Sequence, residues 1–320
     1  MIRFIAFLCA LAAVTPASAQ WPTKQPIRMI VAYSAGGTGD VIARQLSDKL
    51  GAALGQAVIV ENRAGASGAI GARSVVTAPP DGYTLLMGQT GEISVNQYLV
   101  KDNGYDPDVD LVPIALCGVV PLAMVVPKTA PYSTIGEYLA FLKSGKASTF
   151  ASAGAGTPGH FAGELLKLRL KANMTHIPYK GATPALNDLV GGHVDMYFPG
   201  MPAVAGLMQS DAVKFLAVSS GTRSPSAPNT PTVKEASGID TFDFTLWAAL
   251  FAPKGTPKEI VQRLNTEVNK ILSTPETKKR FGELGAEIRV LSVEQTAAFA
   301  KAESAKYQQV IKETGVKIEN

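Results

Sequence analysis

The sequence predicts an α/β protein built as two domains, one inserted into the other, with a central cleft and two strands crossing between them. Three observations carry that expectation. Apolar β-type runs alternate with amphipathic helical segments along nearly the whole chain, the pattern of sheets covered by helices. The alternation breaks twice, at the long apolar runs 111–126 and 244–255, and two breaks are what an insertion leaves behind. Glycine-rich turns recur where strands hand over to helices, the place where doubly wound sheets bind ligands. A length of 320 residues with 46% hydrophobic content suits two cores of ordinary domain size.

The elements follow in order. "MIRFIAFLCALAAVTPASAQ" carries Arg3, an apolar stretch too short to span a bilayer, and the small-x-small motif Ala17-Ser18-Ala19; it reads as an export signal cleaved after Ala19. A retained anchor is the alternative, opposed by the short apolar region and by Pro16; a lipid on Cys9 is opposed by bulky Phe7 and Leu8. Cys9 leaves with the leader, so Cys117 stands alone and no internal disulfide is expected. Its apolar neighbourhood, "PIALCGVVPLAMVVP", marks a small buried hydrophobe rather than a nucleophile. Net charge is +4, and +3 once Arg3 is lost, too small and too scattered for nucleic acid or a polybasic membrane clamp.

Beyond the leader, "IRMIVAY" reads as a strand, "DVIARQLSDKLGAALG" as a helix striped by Ile42, Leu46, Leu50 and Leu54, "AVIVE" as a strand, then a short helix through Val75 and the strand "TLLMG". That βαβαβ pattern favours a parallel sheet. After the first break the alternation restarts: helix "IGEYLAFLKSG", strand "TFASA", a helix from Thr157, strand "THIPY", helix "PALNDLVGG", strand "VDMYF", a helix near 201–208 and strand "KFLAVSS". The tail is helical, with Ile260, Leu264, Val268 and Ile271 on one stripe, a restart at Pro275, and a long final helix from Ser292, all expected to return to the first domain. The expected division is 1–19 leader, 20–121 plus 246–320 first domain, and 122–245 second domain. Such a chain can close like a hinge.

Three turns repeat one chemistry: Ser34 to Gly39, Gly154 to Gly159 with Thr157 as N-cap and Pro158 as first helical residue, and Lys180 to Pro184. Each leaves backbone donors and the positive end of a helix facing the cleft, a cradle for an anion. Taken singly, each is as well explained by a tight turn. The turn "GASGAIG" at 65–71 lacks the context of a dinucleotide site and reads as close helix packing. No G-x-S-x-G, H-E-x-x-H or C-x-x-C occurs, and His160, His176 and His193 lack ligand spacing, so no catalytic group, metal or cofactor is expected. His160 is either a ligand contact or packing on the first helical turn. Tyr179 and Lys180 end a strand at the cleft; Asp40 is a ligand contact or a first-turn acid that complements the helix end.

The segments "PIRMIVAYSAGGTGDVIARQL", "VIVENRAGASGAIGA", "PPDGYTLLMG", "ASAGAGTPGHFAGELL", "HIPYKGATPALNDLVGGHVDMYF" and "APKGTPKEIVQRLN" together resemble the Bug/TctC-type extracytoplasmic receptors of tripartite tricarboxylate transporters, in order from Trp21 to the C-terminus. The resemblance implies a type II periplasmic-binding-protein fold that captures a small organic acid in the periplasm and delivers it to integral membrane permease subunits, with no enzyme activity, no nucleic acid and no second copy of the chain. It also implies that Ala35 to Thr38 and Ser152 to Thr157 surround the ligand carboxylate. The expected ligand-binding residues are Tyr33, Ala35, Gly36, Gly37, Thr38 and Asp40, then Gln89 and Thr90, then Ser152, Ala153, Gly154, Thr157 and His160, and finally Tyr179, Lys180, Gly181 and Pro199. Ala35 and Pro199 depart from the pattern of many relatives. Glu92 would repel a second carboxylate unless it faces away or meets an amine or hydroxyl, which leaves an aromatic or short aliphatic acid as plausible as citrate. Tyr33, Phe198 and Trp247 are candidate apolar walls, with core packing favoured for Trp247. Two rivals remain: a ligand sensor for a signalling system, and a hydrolase using His160 with Ser152. A transcription factor is opposed by the leader and the missing helix-turn-helix.

Overall fold

The computed structural model describes residues 21–101 and 103–317; the expected leader, its cleavage point after Ala19, and Cys9 lie outside them. The first sheet holds β1 (Ile27–Val31), β2 (Val58–Asn62), β3 (Thr84–Gln89) and β4 (Leu111–Pro121), and the second holds β5 (Ala123–Pro127), β6 (Ser148–Ser152), β7 (Met174–Pro178), β8 (Met196–Tyr197) and β9 (Val213–Val218); β10 (Thr245–Pro253) returns to the first. Their orders are β2-β1-β3-β10-β4 and β7-β6-β8-β5-β9. The two sheets repeat one plan. β1 pairs in parallel with β2 and β3, and β6 pairs in parallel with β7 and β8. Each chain crossing then delivers an antiparallel strand: β10 arrives from the second sheet to lie between β3 and β4, and β5 arrives from the first to lie between β8 and β9.

Helices cover both faces of each sheet, so the strands are buried on both sides and read as continuous apolar runs. The stripe Ile42, Leu46, Leu50 and Leu54 of the helix Thr38–Leu54 packs with Ile260, Leu264 and Val268 of the helix Lys258–Ser273 under one face of the first sheet. Each such fully buried side chain stabilises the fold by about 1.5–3 kcal/mol. Gly71 lets the helix Ala69–Val76 lie against β1, since a Cβ there would stand 2.7 Å from the Cα of Ala32; this is the packing role expected of the "GASGAIG" turn. Cys117 is buried and unpaired, and burial pushes its thiol up to about 12, which makes it inert.

Two expectations need correction. The apolar runs 111–126 and 244–255 are chiefly paired strands of the first sheet, with β10 running from Thr245 opposite Pro121 to Pro253 opposite Leu111. The first crossing itself is confined to Leu122, between β4 and β5. Pro113 is tolerated because β4 is an edge strand and the ladder shifts register beside it. The final helix, Val293–Thr314, does not return to the first sheet alone. Phe299 packs edge-on against Trp247 at 5.6 Å between ring centroids, while Tyr307 meets Phe161 of the second sheet's core at 5.6 Å. Farther along, Glu313 pairs with Arg169. An amphipathic stripe states that a helix packs but not on what, so this strap across both lobes was invisible in the pattern.

Candidate functional site

The carboxyl ends of β1, β3, β6 and β8 converge on one pocket between the sheets. From the first lobe it is lined by Tyr33, Gly37, Thr38, Gln89, Gly91 and Leu246; Leu122 comes from the crossing. The second lobe supplies Ala153, Thr157, Pro158 and Gly159 from the loop after β6, Ala182, and Tyr197, Phe198 and Gly200 from the end of β8.

Four helices begin at this pocket: Thr38–Leu54, Pro158–Leu170, Ala182–Val190 and Met201–Gln209, and none has a side-chain cap. The contrast within the chain is informative. Thr134, Thr232 and Ser292 form full capping boxes at helices away from the pocket, the usual way to satisfy the first amides. At the pocket, glycine stands at three N-cap positions, and the hydroxyl of Thr157 turns away to donate to the carbonyl of Gly154 at 2.7 Å. Among the described residues, the amides of Thr38, Gly39 and Gly159 have no hydrogen-bond partner. The helix ends therefore present free N–H groups and positive dipole ends to whatever fills the pocket.

The free donors fall at the helix-start end of the expected turns, and the earlier amides of those turns are taken. The amide of Gly36 donates to Oδ2 of Asp40 at 2.9 Å, that of Gly37 to the carbonyl of Ser34, that of Gly154 to Oγ of Ser152, and that of Gly156 to Nδ1 of His160 at 3.0 Å. The turns are internally satisfied, and their rigidity aims the first helical amides.

The glycines serve a second purpose, the close approach of the two lobes. A Cβ on Gly181 would stand 2.1 Å from Oγ of Ser34, and one on Gly200 would stand 2.4 Å from Oγ1 of Thr38. Thr183 donates its hydroxyl to the carbonyl of Ala35 across the same gap. The helix expected from Pro184 starts two residues earlier, at Ala182, which frees Thr183 for this contact. The lobes are in direct contact, and the cleft is closed around the pocket.

Of the expected contacts, Tyr33, Gly37, Thr38, Gln89, Ala153 and Thr157 line the pocket. The others are placed elsewhere, for identifiable reasons. Asp40 is turned back onto Gly36, Asn62 and Arg44; burial pushes its pKa up, but these three donors outweigh it and hold the carboxyl below its ordinary value. Ala35 accepts from Thr183, and Gly36 faces that same hydroxyl. Oγ1 of Thr90 accepts from the amide of Trp247 at 3.1 Å. Ser152 is fully buried and sits 2.6 Å from Nε2 of His176, not beside His160. His160 stacks on His176 at 3.9 Å and supports Gly156. Burial lowers His160 to about 4 and His176 to about 3, so both are neutral at pH 7. The hydroxyl of Tyr179 is held by Asp188, Lys180 is exposed, Gly154 faces Ser67, Gly181 abuts Ser34, and the carbonyl of Pro199 accepts from Ala123.

Two features were missed in the sequence: the N-terminus at Gly200-Met201, and the apolar set Leu122, Tyr197 and Leu246. The dipeptide Met201-Pro202, with proline in the first helical turn, was an available signal for the former. Phe198 is a wall as expected, and Trp247 is core, packed on Phe251 and Phe299.

Two side chains at the pocket are unusual. Gln89 is buried at 4% exposure, and its Nε2 has no hydrogen-bond partner although it lies beside Gly39 at the start of the helix Thr38–Leu54. Glu92 sits behind Gly91, wholly buried, with one oxygen accepting from the amide of Gln89 at 2.7 Å. Burial pushes it up to about 8, so the carboxyl is mostly protonated at pH 7 and does not present a full charge to the pocket.

Comparison with known proteins follows the same line. Residues 42–316 match the family model "Tripartite tricarboxylate transporter family receptor". The chain belongs to that family. It is 38% identical over 292 residues to a protein of Pseudomonas sp. strain P51 from the tcbD-tcbE intergenic region, covering 91% of this chain and 86% of that one. Among solved structures, it resembles R. palustris Rpa4515 with adipate, at TM-score 0.90 and 32% identity over 93% of this chain and 99% of the other. It also resembles the periplasmic binding protein BugD, at TM-score 0.87 and 34% identity over 93% and 100%. No helix among the described residues of this family member is long and apolar enough to cross a membrane.

Proposed function

We propose that this chain is a periplasmic solute receptor that captures a small organic carboxylate by closure of two lobes and delivers it to the integral membrane subunits of a tripartite tricarboxylate-type transporter. The lobes are 20–121 plus 246–320 and the inserted 122–245; the protein acts as a monomer after removal of residues 1–19, and it is not an enzyme. The observation that carries the reading is the convergence of uncapped helix N-termini from both lobes on one pocket, those of Thr38–Leu54 and Pro158–Leu170 above all. An anion seated there accepts N–H bonds from both lobes at once. Its binding energy is therefore realised only when the lobes meet, and such differential affinity for one state is what drives closure. Adipate in the R. palustris relative supports a carboxylate. The Ser152–His176 pair gives hydrolysis no support, because its oxygen is buried within its own loop, where the amide of Gly154 also donates to it.

The test is calorimetry, with tryptophan fluorescence as a second reporter, on the mature protein against mono-, di- and tricarboxylates. Trp247 follows the lining residue Leu246 and should sense occupancy. At least one acid is expected to bind with micromolar affinity, about −8 kcal/mol. Silence across all three classes overturns the reading.

A further inference from the structure

We infer that the protein has a second ligand site, a groove on the far side of β10 from the pocket, which takes a small organic cation with N–H donors: a primary ammonium or an amidinium on an apolar body. The site is independent of the carboxylate reading above.

Leu246 lines the pocket and its neighbour Thr245 lines this groove, since successive residues of a strand point to opposite faces. The groove measures about 720 Å³, within the range of small-molecule sites. One wall is the loop 220–226 after β9; the other is the turn 282–289 that follows the helix Pro275–Glu283, together with one face of the final helix. Val119, Pro121 and Phe299 make up its apolar part.

The charges of the groove decide what it holds. Arg223, Arg289 and Lys306 are its cations, and each is matched by an acid. Arg223 pairs with Glu235 at 3.0 Å, Arg289 pairs with Glu287 through two bonds of 2.9 and 3.1 Å, and Lys306 stands 3.9 Å from Asp243. Asp243 also accepts from the amide of Gly221 at 2.9 Å. Glu303, the remaining acid of the lining, is left over. Its Oε2 is buried without a hydrogen-bond partner, and its carboxyl makes no ion pair among the described residues. Burial pushes its pKa above the ordinary value; Lys306 and Arg289 oppose the shift without cancelling it, and Asp243 adds to it.

An anion entering the groove would have to break one of the existing pairs. A cation meets a carboxyl that has lost water and gained no partner in exchange, and a charge-assisted N–H bond makes good that loss. Phe299 precedes Glu303 by four residues on the same helical face. A ring or short chain packed on Phe299 therefore brings an attached nitrogen to Glu303.

The experiment titrates the mature protein by calorimetry with benzylammonium, butylammonium and benzamidinium. Benzyl alcohol serves as the uncharged match and tetramethylammonium as a cation without N–H donors. The expected result is one-to-one binding of at least one of the three donors, with both controls at least tenfold weaker. Amide resonances of the wild type are expected to shift within 220–226 and 299–306. Glu303→Gln, checked for an unchanged circular dichroism spectrum and melting temperature, is expected to weaken the bound cation at least tenfold. No binding by any of the three donors, resonance shifts confined to pocket residues such as Thr38 and Thr157, or unchanged affinity in Glu303→Gln each overturns the site. The resonance mapping uses the wild type and stands whether or not the variant folds.

Discussion

Gly200→Ala separates folding from closure. Gly200 has φ −63° and ψ 139°, a conformation alanine adopts freely, so the backbone carries no strain. The three atoms nearest an added methyl all belong to Thr38, in the opposite lobe: Oγ1 at 2.4 Å, and Cβ and Cγ2 at 3.3 Å. Thr38 is buried and β-branched, so it has little rotamer freedom with which to move aside. Forcing the methyl into the closed cleft should cost about 1–3 kcal/mol, as overpacking does elsewhere, while an open form bears none of it. Since ligand is held by the closed state, affinity should fall about 5- to 150-fold. The assay is calorimetry with the best ligand of the wild type, with small-angle scattering to follow the radius of gyration of ligand-saturated protein. Adding Thr38→Ala, which removes the atoms in conflict other than Cβ, should restore part of the closure. A dissociation constant for Gly200→Ala within about twofold of wild type refutes the claim that these lobes meet at Thr38 when ligand is bound.

Two further outcomes follow from the site. Glu92 is protonated in the folded protein up to about pH 8 but ionises near 4.5 when unfolded, so between those values the unfolded state binds fewer protons and stability falls as pH rises, by about 1.4 kcal/mol per unit. Glu92→Gln should remove that slope in urea unfolding between pH 5 and 8, and it should abolish the loss of ligand affinity expected of the wild type above pH 8; an unaltered slope contradicts the burial argument. Asp40→Asn loses the charge that Gly36, Asn62 and Arg44 converge on, which should cost about 1–3 kcal/mol of stability and loosen the loop that aims Thr38. Stability and affinity both unchanged would show that the loop holds its shape without Asp40.

The architecture was legible because its causes are local. The stripes Ile42-Leu46-Leu50-Leu54 and Ile260-Leu264-Val268-Ile271 require helices with one buried face, and β1, β2 and β3 announce themselves as apolar runs punctuated by glycine and proline. The site was legible only as a neighbourhood. That strand ends and helix starts would meet was readable from Gly37-Thr38 and Thr157-Pro158, but which donors remain free depends on tertiary partners. Gly36 loses its amide to Asp40, four residues on, and Gly156 loses its own to His160; both acceptors looked like ligand contacts. Leu122, Tyr197 and Leu246 carry no signal apart from core residues, because an apolar wall of a pocket and an apolar core position obey the same burial pattern. The pairing of Ser152 with His176, rather than with His160, depends on β6 and β7 lying side by side, a register that sequence spacing does not encode.

The helix Val293–Thr314 has a mechanical consequence. It is bolted at one end to Trp247 and at the other to Phe161 and Arg169, so the lobes cannot swing apart about the two chain crossings as freely as a door on its pins. Separating the lobes has to break the contact of Tyr307 with Phe161 or that of Phe299 with Trp247. In the receptor proposed above, those two aromatic contacts oppose the opening of the cleft.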